Sequence, residues 1–209
     1  MRIPLGEHPP PHRGKLCTET NSLNISHQEI DRHLSYSLWR RFHINVTEKL
    51  DYQENGIHVY TDGSKTQTGV GLGLTILRDG SEVQTFSERL NSASSVYNAE
   101  MQALNLAAKA LIGQRTKDTN IVVFSDSLSS LITLKASKQT SSLAVDTIWK
   151  FQSLARQNTV TLQWVRAHAG TPGNERADEL AKLGTKTSGP CRFKHRAQPR
   201  HVNSMINEQ

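Results

Sequence analysis

The stretch Asn120-Ile121-Val122-Val123-Phe124-Ser125 constrains this chain more than any other, because four consecutive apolar residues stand with no polar residue between them. A strand with one face in water alternates apolar and polar side chains; a strand that is apolar at every position has to be covered on both faces. The run therefore predicts an interior strand over 120–125, in a sheet with helices on its two faces.

Three strand-like runs precede it, over 57–62, 69–77 and 82–90. Asp79-Gly80 between the second and third is a strong hairpin signal, so the three read as a meander. Helical spacing predicts a long helix over about 97–112 and further helices over about 127–136 and 142–157. A strand over 160–166 and a short helix over 174–184 complete the set. Meander strands followed by alternating helices and strands imply a mixed sheet.

The 209 residues suffice for one ordinary domain with appendages. We place that domain at 57–185. Residues 1–25, with Pro4, Pro9, Pro10 and Pro11 among polar residues, read as disordered. Residues 26–56 read as a helix and linker: Ser26 and Glu29 form a capping-box pattern, and Ile30, Leu34, Leu38 and Phe42 follow at near-helical spacing over 27–42. The net charge of +6 favours a polyanionic partner, but residues 186–209 carry five Lys/Arg against one Glu, so most of the surplus lies in a tail that reads as solvated and disordered. Cys17 and Cys191 lie in the two appendages without a CxxC pair, which argues against a structural disulfide or zinc site. No apolar run is long enough to span a membrane, and the N-terminus lacks a signal-peptide core, so the expected setting is inside the cell, cytoplasm or nucleus, as a monomer.

Against this frame four acids are misplaced. Asp62 ends the alternation Ile57-His58-Val59-Tyr60, Asp126 ends the interior strand, and Asp178 borders the stripe of Ala177, Leu180 and Ala181. Glu100 projects with Leu104, Ala107 and Leu111, opposite Gln102, Asn105 and Lys109, which puts it on the buried stripe of its helix. Each has a local alternative: an Asx turn at Asp62-Gly63-Ser64, a helix cap at Asp126, the helix dipole at Glu100. Glu179, one residue from Asp178, faces water and is fully explained by a solvated surface. Carboxylates against a core cost several kcal/mol, roughly, unless something cationic meets them. Hard oxygen donors select Mg²⁺ or Mn²⁺, and four acids exceed what one Mg²⁺ uses, so the set implies two ions and phosphodiester cleavage.

Tyr60-Thr61-Asp62-Gly63-Ser64, Ala99-Glu100, Ser125-Asp126-Ser127, Trp164-Val165-Arg166-Ala167-His168-Ala169-Gly170 and Gly173-Asn174-Glu175-Arg176-Ala177-Asp178-Glu179-Leu180-Ala181 occur in this order. The ordered set resembles type 1 ribonuclease H. That resemblance implies an α/β, ribonuclease H-like fold: a five-stranded mixed sheet, three antiparallel meander strands plus two parallel ones, with helices on both faces. It implies endonucleolytic hydrolysis of the RNA strand of RNA–DNA hybrids with two Mg²⁺ ions, Mn²⁺ substituting. The family's metal-binding carboxylates match Asp62, Glu100, Asp126 and Asp178, and its mobile catalytic histidine matches His168. Asn174 is a supporting or substrate-contacting candidate, or equally the cap of the last helix, and Ser64 is a weaker candidate. Lys65, Lys135 and Lys138 stand near element ends around the acids, where surface lysines are ordinarily just solvated.

Two features depart from cellular members. Ser94-Ser95-Val96-Tyr97-Asn98 stands where those members commonly carry Asn-rich residues that contact RNA 2′-hydroxyls, and only Ser137-Lys138-Gln139-Thr140 separates the middle helices, without an inserted basic loop. The compact form looks like the domain of non-LTR retrotransposon polyproteins, which implies a reverse transcriptase domain as a partner. The alternative reading is a catalytically idle nucleic-acid-binding relic of such a polyprotein.

Overall fold

The computed structural model describes residues 36–37, 40–48 and 55–187. Its elements in chain order are β1 (Tyr36–Ser37), β2 (His43–Asn45), β3 (Ile57–Thr66), β4 (Gly69–Arg78), β5 (Ser81–Leu90), α1 (Val96–Gly113), β6 (Asn120–Ser125), α2 (Leu128–Lys135), β7 (Lys138–Gln139), α3 (Ser142–Leu154), β8 (Thr159–Trp164) and α4 (Pro172–Lys186). The expected disordered segments, 1–25 and 186–209, lie outside the described residues apart from Lys186 and Thr187.

The main sheet runs β2-β8-β6-β3-β4-β5. β3, β4 and β5 pair antiparallel; β6 lies parallel to β3, and β8 parallel to β6. Asp79 and Gly80 turn the second hairpin with φ of 48° and 81°. Positive φ at both central residues fits the right-handed strand twist, which is why Asp-Gly is favoured there. As its uninterrupted apolar run requires, β6 is buried from Ile121 to Ser125 and sits between β3 and β8.

The sheet has six strands rather than the expected five. β2 adds a parallel edge strand on β8, with Asn45 opposite Gln163. The expected helix over 27–42 is corrected in its described part: Tyr36–Ser37 is extended and pairs antiparallel with Lys138–Gln139, and residues 40–42 are not helical. The remainder of that expected helix lies outside the described residues. Phe42, which the helical spacing assigned to an amphipathic stripe, is instead buried in the core, its ring centroid 5.6 Å from that of Phe151.

One face of the sheet carries α1, with α3 packed over it in turn. This is where the larger core lies, built from residues such as Leu72, Leu74, Leu104, Leu111, Ile121, Ile148 and Phe151. Gln102 and Asn105, expected on a solvated face of α1, are buried. For Asn105 the reason is α3: its Nδ2 donates to Asp146 Oδ2 at 2.8 Å and to Thr147 Oγ1 at 3.0 Å, and Lys150 Nζ donates to Asn105 Oδ1 at 2.9 Å. Polar residues are tolerated at a buried position when their bonding capacity is met.

The other face carries α4 over a smaller core of Tyr60, Val122, Phe124, Val165 and Ala177. Helix and sheet approach backbone to backbone here. A Cβ on Gly73 would lie 2.3 Å from the Ala177 carbonyl oxygen, and one on Gly71 would lie 2.4 Å from that of Ala181. Arg89 holds the far end of α4, donating from Nη1 to the Thr185 and Thr187 carbonyls at 2.7 and 3.1 Å. Cationic donors on the last carbonyls of a helix complement its dipole.

Candidate active site

β3 continues four residues past its expected end, so Asp62 sits within a strand rather than after one. Gly63 and Ser64 pair with Leu72 and Gly71, which removes the Asx-turn explanation for Asp62. The parallel register places Thr61 opposite Ser125, so Asp126, the next residue of its chain, emerges beside Asp62 at the carboxyl end of β6. This is the end of an α/β sheet at which ligands are bound. Asp126 is not the cap of α2 either: Ser127 holds that position, and the Asp126 carboxylate accepts from Asn174 Nδ2 at 3.2 Å.

Glu100 reaches the same point from the opposite face. Ser95 caps α1, its side chain accepting from the Asn98 N–H at 3.1 Å, which puts Glu100 in the second turn. A Cβ at Gly63 would lie only 2.5 Å from the Glu100 backbone nitrogen. Glycine therefore allows α1 to rest directly on β3 and brings the Glu100 carboxylate to the Asp62 side of the sheet edge.

Ligand oxygens of Asp62, Glu100 and Asp126 lie within 4.8 Å of one another. Asp62 and Glu100 are 7% and 5% exposed, and Glu100 Oε2 is buried without a hydrogen-bond partner. Burial, then the charges of Asp126 and Asp178, push the Asp62 carboxyl up to about 7, against a weaker opposing bond from the Gly63 backbone. Burial, then Asp62 and Asp126, raise Glu100 well above the usual carboxylate range. The charged forms of Asp62 and Glu100 are thus disfavoured, and a divalent cation among the three acids reverses that penalty. The orphaned Glu100 oxygen and the all-carboxylate donor set fit a hard ion of the Mg²⁺ or Mn²⁺ kind.

The remaining candidates surround this trio. Asp178, on α4, is half-buried beside it and raises Asp62 through its charge, but its Oδ2 accepts from Lys182 Nζ at 2.6 Å rather than joining the cluster. Glu179 is exposed and paired with Arg176 at 3.1 Å, as expected of a surface acid. Asn174 is buried at the start of α4 with Oδ1 unpartnered. It is not the helix cap, since Thr171 takes that place with Pro172 following. Ser64 is half-buried on the same face of β3 as Asp62, two residues along. Lys65 Nζ donates to the Ser94 carbonyl at 3.2 Å and so braces the loop that leads into α1, while Lys135 and Lys138 are exposed.

His168 is exposed on the loop 166–170, which leaves β8 at the same sheet end as Asp126. Its φ of 52° lies in the left-handed region, and Gly170 follows at 76°. Outside glycine this conformation is uncommon, though His is among the residues enriched there. A Cβ at Gly170 would meet nothing within 4 Å, and residues 166–170 are all exposed. A cleft of about 340 Å³ opens beside it, lined by Glu48, Trp164, Val165, Arg166, Ala169 and Thr171. Trp164 is a contributor that the sequence pattern did not single out. Its indole Nε1 donates to the Asp126 carbonyl at 3.1 Å, and only its place in the stretch before His168 marked it.

Comparisons with known proteins bear on the family and the fold. Residues 54–186 match the family model for RNase H. Forty residues are 52% identical to a ribonuclease H of Maricaulis maris (strain MCS10), and 44 residues are 50% identical to one of Ruegeria pomeroyi (strain ATCC 700808 / DSM 15171 / DSS-3). These alignments cover 19% and 21% of this chain, and 27% and 28% of the bacterial proteins, so the chain is matched over about a quarter of their length. Among solved structures, RNase H1 from the halophilic archaeon Halobacterium salinarum NRC-1 superposes with a TM-score of 0.50 over 61% of this chain and 96% of that one. At 21% identity that likeness speaks for the fold. With a family match spanning more than half its length, the chain belongs to the ribonuclease H family.

Proposed function

We propose that this chain is a metal-dependent endonuclease that hydrolyses the RNA strand of RNA–DNA hybrids. The observation that carries the reading is the convergence of Asp62, Glu100 and Asp126 from a strand, a helix and a second strand onto one point, with a buried Glu100 oxygen left unsatisfied. Family membership supports the substrate class.

Asp62, Glu100 and Asp126 would hold Mg²⁺, or Mn²⁺ in its place, and Asp178 is the fourth carboxylate of the set. Bound there, two such ions would supply activation of the attacking water and stabilisation of the leaving oxygen of the phosphodiester. The chain's own residues do the rest. Asn174 orients the Asp126 carboxylate through its amide. His168, exposed on its loop, carries a proton between solvent and the site, a task suited to imidazole near neutral pH. Ser64, on the Asp62 face, is positioned to touch substrate or a bound water. Discrimination of RNA from DNA rests on the 2′-hydroxyl and groove shape, and affinity rests mainly on phosphate contacts.

The retroelement lineage, with a reverse transcriptase as neighbouring domain, is the finer reading. It is supported by the short α2–α3 connection and by the Ser94–Asn98 segment before Glu100, although the matched relatives named above are bacterial. The protein acts as an intracellular monomer in this reading. Among the described residues no helix is long and apolar enough to cross a membrane.

The test is a hybrid carrying a separate label on each strand, incubated with Mg²⁺. Internal cuts in the RNA strand with the DNA strand intact are expected. Cleavage of duplex DNA in preference to hybrid refutes the substrate assignment, and hybrid binding without turnover supports the relic reading instead.

A further inference from the structure

The family match begins at residue 54, yet residues 40–48 are built into the nuclease fold. Phe42 enters the main core, Ile44 and Val46 pack against it, and β2 completes the sheet edge along β8. An edge strand of three residues is too short to be explained by sheet stability alone, since it adds few ladder bonds. Its side chains show a more specific arrangement.

Gln163 is buried at the end of β8 and every amide atom of it is engaged. Asn45 Nδ2 donates to Gln163 Oε1 at 2.9 Å, while Gln163 Nε2 donates to the Thr47 carbonyl at 2.8 Å and to the Trp164 carbonyl at 2.7 Å. Asn45 is fixed in turn, its Oδ1 accepting from the Thr47 N–H at 3.1 Å and from Thr47 Oγ1 at 2.7 Å. The next residue, Trp164, donates its indole N–H to the Asp126 carbonyl. One polar chain thus runs from the added strand, through Gln163 and Trp164, to the backbone of an acid in the cluster. Beyond it, Glu48 pairs with Arg166 at 2.6 Å, two residues before His168. That pair is exposed and contributes little by itself, so the half-buried Asn45–Gln163 link is the stronger element.

We propose that Asn45 and Trp164 are positioning residues: the segment 40–48 locks the end of β8, so that the Trp164 indole fixes the Asp126 backbone and the loop bearing His168 leaves the sheet in one direction. The consequence is catalytic rather than merely stabilising. Groups that orient the acids of a metal site commonly matter tenfold or more without touching the ion. This proposal rests on the nuclease reading above for its kinetic consequence, but its structural part stands without it.

The test uses all 209 residues, three single variants and the Asn45→Ala/Trp164→Phe double variant. Asn45→Ala breaks the link from the added strand, Trp164→Phe keeps the ring and removes the donor, and Asn158→Ala is the control. Asn158 sits at the opposite end of β8, where its Nδ2 bonds the Thr116 and Leu154 carbonyls at 3.0 Å each. Well below the unfolding temperature, Asn45→Ala and Trp164→Phe should each lower kcat roughly tenfold with KM nearly unchanged, and the double variant should lose no more than the worse single one. Asn158→Ala should lower thermal stability and leave kcat alone. A second readout needs no activity: hydrogen exchange at the Trp164 indole, assigned by its loss in Trp164→Phe, should speed up about tenfold in Asn45→Ala but not in Asn158→Ala. A wild-type protein that cuts no hybrid refutes the nuclease reading, while the exchange result still decides the coupling. Unchanged kcat and unchanged indole protection in Asn45→Ala overturn the proposal, and so does equal loss of kcat in Asn158→Ala.

Discussion

Replacing Asp62 by asparagine should make the metal-free protein more stable while removing its activity. Burial first, and then the charges of Asp126 and Asp178, push the Asp62 carboxyl up to about 7 in the folded chain, against roughly 3.9 in an unfolded one. Between those values the native state binds more protons than the unfolded state, so this group lowers stability as pH rises from about 4 to 7 and holds it low above that. A shift of about three units corresponds to roughly 4 kcal/mol at full ionisation, an upper figure because Glu100 and Asp62 share the repulsion. Asparagine keeps the shape and removes the charge, so Asp62→Asn should gain about 2–3 kcal/mol at pH 8, or very roughly 4–12 °C in Tm. The assay is thermal unfolding in EDTA at pH 8 and pH 5, beside hybrid cleavage in Mg²⁺. The gain should be large at pH 8, small at pH 5 and accompanied by loss of cleavage. An Asp62→Asn protein that melts below wild type at pH 8, or gains equally at both pH values, refutes the reasoning.

The same repulsion makes cation binding pH-dependent: Mg²⁺ should raise Tm more at pH 7.5 than at pH 5, where Asp62 and Glu100 hold protons the ion must displace, as calorimetric melting will read. Gly73→Ala forces a methyl to 2.3 Å from the Ala177 backbone oxygen and should cost about 3 kcal/mol or more in urea unfolding, because neither backbone can yield without lifting α4. Arg89→Met keeps the aliphatic length but removes the donors to the end of α4, and should cost about 1.5–3 kcal/mol with kcat at 25 °C unchanged.

Much of the fold is legible along the chain because its signals are local. The interior strand, the Asp79-Gly80 hairpin and the buried stripe of Glu100 each follow from residues within a dozen positions. What was not legible depends on partners far away in sequence. Asn105 reads as a surface residue until α3, some forty positions later, supplies Asp146, Thr147 and Lys150. A three-residue edge strand has no period to read, and its helical-looking predecessor, with Leu38 and Phe42 near helical spacing, pointed elsewhere. For the site, the sequence groups Asp62, Glu100, Asp126 and Asp178; ligand oxygens of the first three lie within 4.8 Å of one another, and Asp178 is held by Lys182 instead. Asp62 was expected at a strand end and lies inside a longer strand, because its hairpin extends to Thr66. The Trp164 bond to the Asp126 carbonyl spans 38 positions and leaves no local pattern, whereas the Lys182–Asp178 pair lies at i,i+4 spacing on α4 and is open to a reading of helical spacing.

The most direct test of the account is cleavage of a labelled RNA–DNA hybrid titrated with Mg²⁺, in wild type and in Asp126→Asn. The account predicts RNA-strand cutting that is absent in EDTA, rises with Mg²⁺, and falls at least about a hundredfold in the variant. Cutting that survives EDTA, or that is equal in Asp126→Asn, would contradict it.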